Sequence, residues 1–138
     1  EILYERYAKS INIEALTMID MVKKGIFQSV LKYQEELSKV MAAKKSLGAQ
    51  FDTTMESSLL EKISNISAAI YNNLSSLEEA VDDVKNHAST ALEEARYYRD
   101  VIFERMNALR VYVDQAEVIV GKDYWTYPTY EDMLYSIL

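Results

Sequence analysis

The sequence predicts an all-α protein, an elongated antiparallel three-helix bundle with coiled-coil-like packing, followed by a short C-terminal strap and helix. Apolar residues recur at spacings of three and four through most of the chain, which is typical of amphipathic helices. The 138 residues include only three glycines and one proline, so few turns are available. Since 49% of the residues are apolar, the chain can bury a continuous core as one domain over residues 1–138.

The first helix is predicted over about residues 1–47. Its apolar positions, which run from Tyr4 to Val40, step by three and four, except that two steps of four follow each other between Val22 and Val30. This pattern inserts one extra residue near Gly25. Because glycine in a helix interior costs about 1 kcal/mol relative to alanine, we expect a bend there. Gly48 is the expected C-terminal stop.

The second helix is predicted over about residues 54–87 and has the most regular pattern. Thr53 and Glu56 have the spacing of a capping box. The seam that follows steps strictly by three and four, and its residues are Leu60, Ile63, Ser67, Ile70, Leu74, Leu77, Val81, Val84 and Ala88. The one polar member, Ser67, can bond back to its own backbone at small cost. Such seams are more often the core of a bundle than an interface between chains, so we expect this one to be internal.

The third helix is predicted over about residues 90–121. Ser89 or Thr90 is the expected N-cap, Glu93 completes a capping box with Thr90, and Gly121 ends the helix. Its apolar face consists of Ala95, Tyr98, Ile102, Met106, Leu109, Val113, Ala116 and Val120. Short connections make the helices antiparallel neighbours, and the longer first helix should overhang the hairpin formed by the other two.

The composition excludes several classes of partner. The formal net charge of −7 makes DNA and RNA poor partners, because phosphate binding needs clustered lysine and arginine. No apolar run approaches the roughly 20 residues that a bilayer span requires, so no membrane partner is expected. The absence of cysteine excludes disulfides and thiol chemistry and fits a cytoplasmic protein.

The sequence predicts no catalytic, cofactor-binding or metal-binding residue. Glu79, Asp83 and His87 are spaced four apart on one helical face. Two carboxylates and one imidazole would leave most coordination positions of a metal ion to water, so the affinity would be weak. A solvated acidic face explains them better. No serine lies in a glycine-flanked elbow, and "GKDYW" lacks the glycine-rich loop that holds phosphate.

The strap, residues 122–138, contains the candidate docking residues. It holds the chain's only tryptophan and its only proline. The candidates are Trp125, Tyr127, Pro128, Tyr130 and Leu134. Burying one large apolar side chain is worth about 1.5 to 3 kcal/mol, so this cluster should cover a surface. That surface is either the open end of the bundle or a neighbouring domain or subunit.

Three segments resemble the C-terminal region of type III, long-chain bacterial glutamine synthetases. The ending "WTYPTYEDMLYSIL" is similar to the ending of that family and is the most specific motif. "SINIEALTMIDMVKK" resembles the opening of the same region, and "MNALRVYVDQAEVIV" its penultimate segment. Three residues depart from the family pattern: Thr126 replaces a proline, Glu131 a glycine and Tyr135 a phenylalanine. The segment "IFQSV" also departs from it, because the family usually has a Leu-Pro pair there.

The resemblance implies a parent enzyme that joins ammonia to glutamate with ATP and divalent magnesium or manganese. Its partners would be the rest of the parent chain and a cytoplasmic homo-oligomeric ring, and its catalytic residues would lie upstream of this region. The first residue is not methionine, and the helical spacing of apolar residues begins within the first turn, so we expect this chain to be a module of a longer protein. The alternative is a stand-alone helical interaction module, such as a coiled-coil adaptor.

Overall fold

The computed structural model describes residues 2–125, which form three helical rods. The first rod consists of α1 (Ile2–Met21), a π-helical turn (Val22–Ile26) and α2 (Phe27–Leu47). The second consists of α3 (Thr54–Asp82) and the short α4 (Val84–His87). The third consists of α5 (Ala91–Tyr97), a second π-helical turn (Tyr98–Ile102) and α6 (Phe103–Ile119). The described residues contain no strand, so the prediction of an all-α fold is confirmed.

The first and second rods are antiparallel. Contacts between them fall in opposite order along the two rods: Lys23 Nζ to Glu78 Oε2 at 2.5 Å, Gln34 Nε2 to Ser67 Oγ at 3.1 Å, and an ion pair between Lys44 and Glu56. Ser67 also donates to the carbonyl of Ile63 at 2.7 Å, as expected for a hydroxyl in a helical seam. The overlap is therefore in register from the middle of the first rod to its C-terminal end.

The third rod runs antiparallel to the second and alongside the first. The Tyr97 hydroxyl donates to the carbonyl of Ala80, and Arg105 Nη1 donates to that of Ser76, both at 2.8 Å. Near the start of the first rod, the Tyr98 hydroxyl donates to Asn12 Oδ1 at 3.1 Å. These bonds fix the rods around a shared core.

The core takes apolar side chains from all three rods. Its largest fully buried members are Val22, Ile63, Ile70, Leu74, Leu77, Ile102, Met106, Leu109 and Val120. Each of them occupies an apolar position that the sequence pattern predicts. The pattern is wrong at the two ends of the first rod, where Tyr4 and Val40 are exposed. No part of the third rod covers these end positions closely enough to bury them.

The extra residue near Gly25 is taken up by the first π-helical turn. A π turn inserts one residue into an α-helix, so the helices on either side keep the same face toward the core. Gly25 and Ile26 are buried in this turn. The second π turn was not predicted from sequence, although Tyr98, Ile102 and Met106 also show two successive steps of four.

The helix ends confirm some of the predicted caps and correct others. Gly48 ends α2 with φ 142°, a backbone region that favours glycine. Thr90 accepts the backbone N–H of Glu93 at 3.2 Å, while Glu93 Oε2 accepts from the N–H of Ser89 at 2.9 Å. The predicted capping box therefore forms in part: Thr90 accepts from Glu93 as expected, but Glu93 accepts from the N–H of Ser89 and not from that of Thr90.

The capping box predicted for Thr53 and Glu56 is wrong. The side chain of Thr53 makes no cap bond, and Asp52 Oδ1 instead accepts the N–H of Thr54 at 2.8 Å. Glu56 is turned toward the first rod, where it pairs with Lys44. The long-range ion pair thus replaces the local bond that the spacing indicated.

The second helix does not run unbroken to residue 87. Asp83 interrupts it with φ −98° and ψ 6°, and its carboxylate accepts from Asn86 Nδ2 at 2.5 Å. Aspartate side chains offer such local bonds as an alternative to the helical ladder, which accounts for the break. Within residues 2–125, no helix combines the length and apolarity needed to cross a membrane.

Candidate docking surfaces

The strap begins with a compact turn directly after α6. Val120 leaves the helix with an extended backbone at ψ 121° and remains buried. The N–H of Tyr124 then donates to the carbonyl of Gly121 at 3.0 Å, and the N–H of Trp125 to that of Lys122 at 3.2 Å. The turn reverses the chain locally and brings two aromatic side chains back against the bundle.

These aromatic side chains pack on the first rod. The rings of Tyr124 and Tyr33 meet edge to face, with centroids 5.6 Å apart and an interplanar angle of 77°. Such a geometry adds about 0.5 to 1.5 kcal/mol beyond area burial. Burial, followed by the neighbouring Tyr124, raises the pKa of Tyr33 above its ordinary value. Trp125 is half-buried and also packs against the core.

Of the five predicted docking residues, Trp125 is the one that the structure describes. Its side chain packs against the bundle core, and the choice between the open end of the bundle and a neighbouring domain or subunit as the surface that the strap covers stays a prediction. The other four, Tyr127, Pro128, Tyr130 and Leu134, lie outside the described residues. Their docking surface stays a prediction.

A second surface lies at the far end of the first two rods. We call residues 38–62, which form the end of α2, the connecting loop and the start of α3, the hairpin tip. The only buried residue in this range is Glu56. Four large apolar side chains are exposed on it: Val40 (42%), Leu47 (69%), Phe51 (45%) and Met55 (67%). The hairpin tip therefore has helices but no buried apolar core of its own.

The sequence pattern did not predict the hairpin tip as an exposed surface. The greater length of the first helix predicted an overhang of that helix alone, and it did not show that α3 also extends past the third rod. Both rods extend past the third one, and the overhang is consequently a two-helix hairpin.

One ion pair ties the two helices of the hairpin tip together. The Lys44 ammonium contacts the Glu56 carboxylate and also donates to the carbonyl of Asp52 at 2.9 Å. Glu56 is 3% exposed as a residue, so this pair is shielded from water on its carboxylate side. The hydrogen bond from Lys44 holds the pKa of Glu56 below its ordinary value of 4.5.

Lys44→Met should raise the pKa of Glu56 and weaken the pH dependence of stability. A carboxyl whose pKa is lowered by folding contributes stability above its unfolded pKa, and that contribution is lost as the pH falls through the folded pKa. The pKa can be followed by an NMR titration of the Glu56 carboxyl carbon, and stability by urea unfolding between pH 7 and pH 3.

The matched control for this prediction is Lys45→Met, which removes the adjacent, exposed lysine. It should leave the Glu56 titration near that of the unchanged chain. An identical Glu56 pKa in the Lys44→Met variant and in the unchanged chain would contradict the role given to the pair.

A third exposed apolar surface lies at the start of α1. Ile2 and Leu3 are 67% and 75% exposed, and Tyr4 and Tyr7 on the next turn are also exposed. Contiguous exposed apolar groups of this kind are typical of surfaces that meet another protein or domain. We call Ile2, Leu3, Tyr4 and Tyr7 the α1 start face.

The acidic face considered for metal binding forms a cleft with a different character. The cleft has a volume of about 310 Å³, and Glu79, Asp83, His87, Tyr97 and Arg105 are among the residues that line it. His87 Nε2 lies 2.7 Å from Asp83 Oδ2, and its ring stacks on Tyr97 with centroids 5.1 Å apart.

Hydrogen bonds from Asn86, and then from His87, hold the pKa of Asp83 below its ordinary value. Asp83 and His87 of the cleft are therefore bonded to each other, and Asp83 is also bonded to Asn86. In the described part of the chain, no three carboxylate or imidazole groups are arranged to hold a metal ion.

Comparison with known proteins relates the chain to one enzyme family. Residues 1–45 match the family model described as the glutamine synthetase C-terminal domain. A glutamine synthetase from Butyrivibrio fibrisolvens is 40% identical over 138 residues, which cover 99% of this chain and 19% of the relative. One from Bacteroides fragilis (strain YCH46) is 23% identical over 140 residues, with the same coverages. The chain thus spans about a fifth of the length of these relatives, and no solved structure matches it.

Proposed function

The chain is a glutamine synthetase C-terminal domain, and from this premise we propose that it is a non-catalytic module that supports assembly of the parent enzyme or its catalytic domain. The observation that carries the proposal is the end-to-end match to one fifth of a much longer enzyme. A stand-alone adaptor would not be expected to align in this way. The parent would be an ATP-dependent glutamate–ammonia ligase and a cytoplasmic oligomer.

The parent would use ATP and a divalent metal, and the described residues offer no group of three carboxylate or imidazole side chains for that metal. Magnesium and manganese sites take several convergent oxygen ligands, and residues 2–125 hold no such group. Asp83, the carboxylate nearest to His87, is already bonded to Asn86 and His87. We therefore assign the nucleotide, the metal and the chemistry to the rest of the parent chain.

The α1 start face is the surface through which this support would act. Leu3 is 75% exposed, whereas the buried residues of the same helix are Ala8, Ile11 and Ala15. Burial of such a side chain against another domain would contribute about 1.5 to 3 kcal/mol. The face is also far along the first rod from the hairpin tip, so the two surfaces can be tested separately.

The proposal predicts that Leu3→Asp in the full-length parent enzyme weakens assembly. A charge placed in an apolar contact loses its water without gaining a partner, so we expect the oligomer to dissociate at higher protein concentration than the unchanged enzyme. Light scattering after size-exclusion chromatography measures the oligomer, and glutamine formation measures the activity.

The control is Val118→Asp, which changes a residue that is 87% exposed on α6. It should leave assembly and activity unchanged. A parent enzyme that lacks all 138 residues yet assembles and works normally would defeat the supporting role altogether.

A further inference from the structure

The cleft at the end of α3 contains two opposite charges that do not pair with each other. Arg105 and Glu79 both line this space of about 310 Å³. Arg105 Nη1 donates to the carbonyl of Ser76 at 2.8 Å, and this bond holds the guanidinium on α3. Among residues 2–125, no salt bridge joins Arg105 to Glu79. Both charges are therefore available to a ligand.

The guanidinium of Arg105 keeps most of its hydrogen-bonding capacity. An arginine side chain has five N–H donors in a planar fork that matches the geometry of a carboxylate. With respect to the described residues, Arg105 uses Nη1 alone for a hydrogen bond. Because that bond already holds the half-buried side chain in place, a bound carboxylate costs less conformational entropy here than on a mobile surface arginine.

Glu79 supplies the opposite charge about one turn further along α3. Its side chain is exposed and makes no hydrogen bond or ion pair with any residue of the described part of the chain. Ser76, on which Arg105 is held, precedes Glu79 by three residues, which is about 4.5 Å along the helix axis. A ligand that carries a carboxylate and an ammonium on one carbon atom can therefore meet both charges.

The second π-helical turn gives the cleft its shape. Tyr97 and Arg105 are eight residues apart, and the turn Tyr98–Ile102 lies between them. Eight α-helical steps of about 100° would leave about 80° between the two side chains around the axis. Since a π turn takes up one residue, the rotation is that of seven steps, and the two differ by about 20°. Both consequently reach α3, where Tyr97 donates to the carbonyl of Ala80. π turns are frequent at functional sites.

The remaining lining of the cleft suits a small organic molecule. Tyr97 and Val101 are half-buried and supply apolar surface in the same cleft. Ligand pockets have volumes of about 300 to 1,000 Å³, and a volume of about 310 Å³ is at the lower end of this range. The cleft therefore fits a ligand of amino-acid size better than a nucleotide.

We propose that this cleft binds a free α-amino acid with an aliphatic side chain, whose carboxylate pairs with Arg105 and whose ammonium pairs with Glu79. The aliphatic group packs on Tyr97 and Val101. A simple anion would be repelled by Glu79, and a simple cation would be repelled by Arg105. Both charged groups of the ligand are therefore needed for binding.

The test compares three probes that share one branched aliphatic group. L-valine carries both charges, isovalerate lacks the ammonium, and isobutylamine lacks the carboxylate. Binding to the isotopically labelled 138-residue chain is followed through the backbone amide signals of residues 76–105 at pH 7. We expect L-valine to shift these signals with millimolar affinity, at least about tenfold tighter than either of the other probes. The signals of the hairpin tip should not move.

Two variants assign the two charges of the cleft. Glu79→Gln changes an exposed residue and should weaken L-valine binding about tenfold without weakening isovalerate binding. Arg105→Met should weaken L-valine binding without weakening isobutylamine binding. The matched control is Glu61→Gln, which removes an exposed carboxylate of α3 outside the cleft and should leave the affinities for all three probes unchanged.

Three results would overturn the proposal. Amide signals around the cleft that do not move at high millimolar L-valine would show that no such amino acid binds there. Equal affinity for L-valine and for either single-charge probe would show that the ligand does not need both charges. Unchanged L-valine affinity in the Glu79→Gln variant would remove Glu79 from the site, and this variant keeps the test decisive if Arg105→Met fails to fold.

Discussion

Leu77→Ala is expected to lower the free energy of unfolding of the 138-residue chain by about 3 kcal/mol. Leu77 is 0% exposed in α3, the helix that packs against both other rods. Replacing a buried leucine with alanine removes the transfer free energy of the lost methyl groups and leaves a cavity, which together cost about 2 to 5 kcal/mol. The measurement is urea unfolding followed by circular dichroism at 222 nm.

The matched control for Leu77 is Val118→Ala on α6. Val118 is also apolar and helical but 87% exposed, so its truncation should change stability by less than about 0.5 kcal/mol. A Leu77→Ala effect as small as that of the control would mean that α3 is not the centre of the core.

The α3 core residues could be predicted because their pattern depends on geometry internal to one helix. Ile63, Ile70, Leu74 and Leu77 belong to a seam that steps strictly by three and four, with Ser67 between the first two, and all four are buried. The same regularity gave no warning about Val40, which keeps the spacing of the first rod but is exposed. Periodicity shows which face of a helix is apolar, whereas burial also requires another element to be opposite that face.

Glu56 shows why the local motif at the start of α3 failed. Its spacing from Thr53 fits a capping box, and both residues are adjacent in the chain to the helix start. Its partner is instead Lys44, which belongs to the preceding helix and is brought close by the Gly48 turn. A pattern within a few residues cannot predict a bond whose second member depends on how two helices are paired.

The docking surfaces could be predicted in part, unlike the α3 core, which was predicted, and the Thr53–Glu56 capping box, which was predicted wrongly. The aromatic composition of the strap predicted that it covers something, and the resemblance to glutamine synthetases predicted a larger protein around it. The contact of Tyr124 with Tyr33 was not predictable, because it depends on where the third rod ends relative to the first. The hairpin tip follows from the same relation between rod lengths.

Deleting Gly25 is expected to change the free energy of unfolding by no more than about 1 kcal/mol, although most deletions within a helix are severe. The π-helical turn Val22–Ile26 contains one residue more than an α-helix needs to keep α1 and α2 on the same face. Removing that residue restores steps of three and four across the turn. It also removes a glycine that costs about 1 kcal/mol in a helix interior, which offsets the loss of local packing.

Deleting Ala68 from α3 is the contrasting change, and it should abolish cooperative unfolding. Ala68 is exposed, so the side chain itself contributes little, but α3 has no π turn to absorb the loss. Because successive residues are separated by about 100° around the helix axis, the deletion turns Ile70, Leu74 and Leu77 away from the face that holds Ile63. Exposure of three such side chains, at about 1.5 to 3 kcal/mol each, is comparable with the whole stability of a domain. If the Gly25 deletion unfolded the chain as the Ala68 deletion does, the π turn would not be a register insertion, and the two successive steps of four between Val22 and Val30 would need another physical cause.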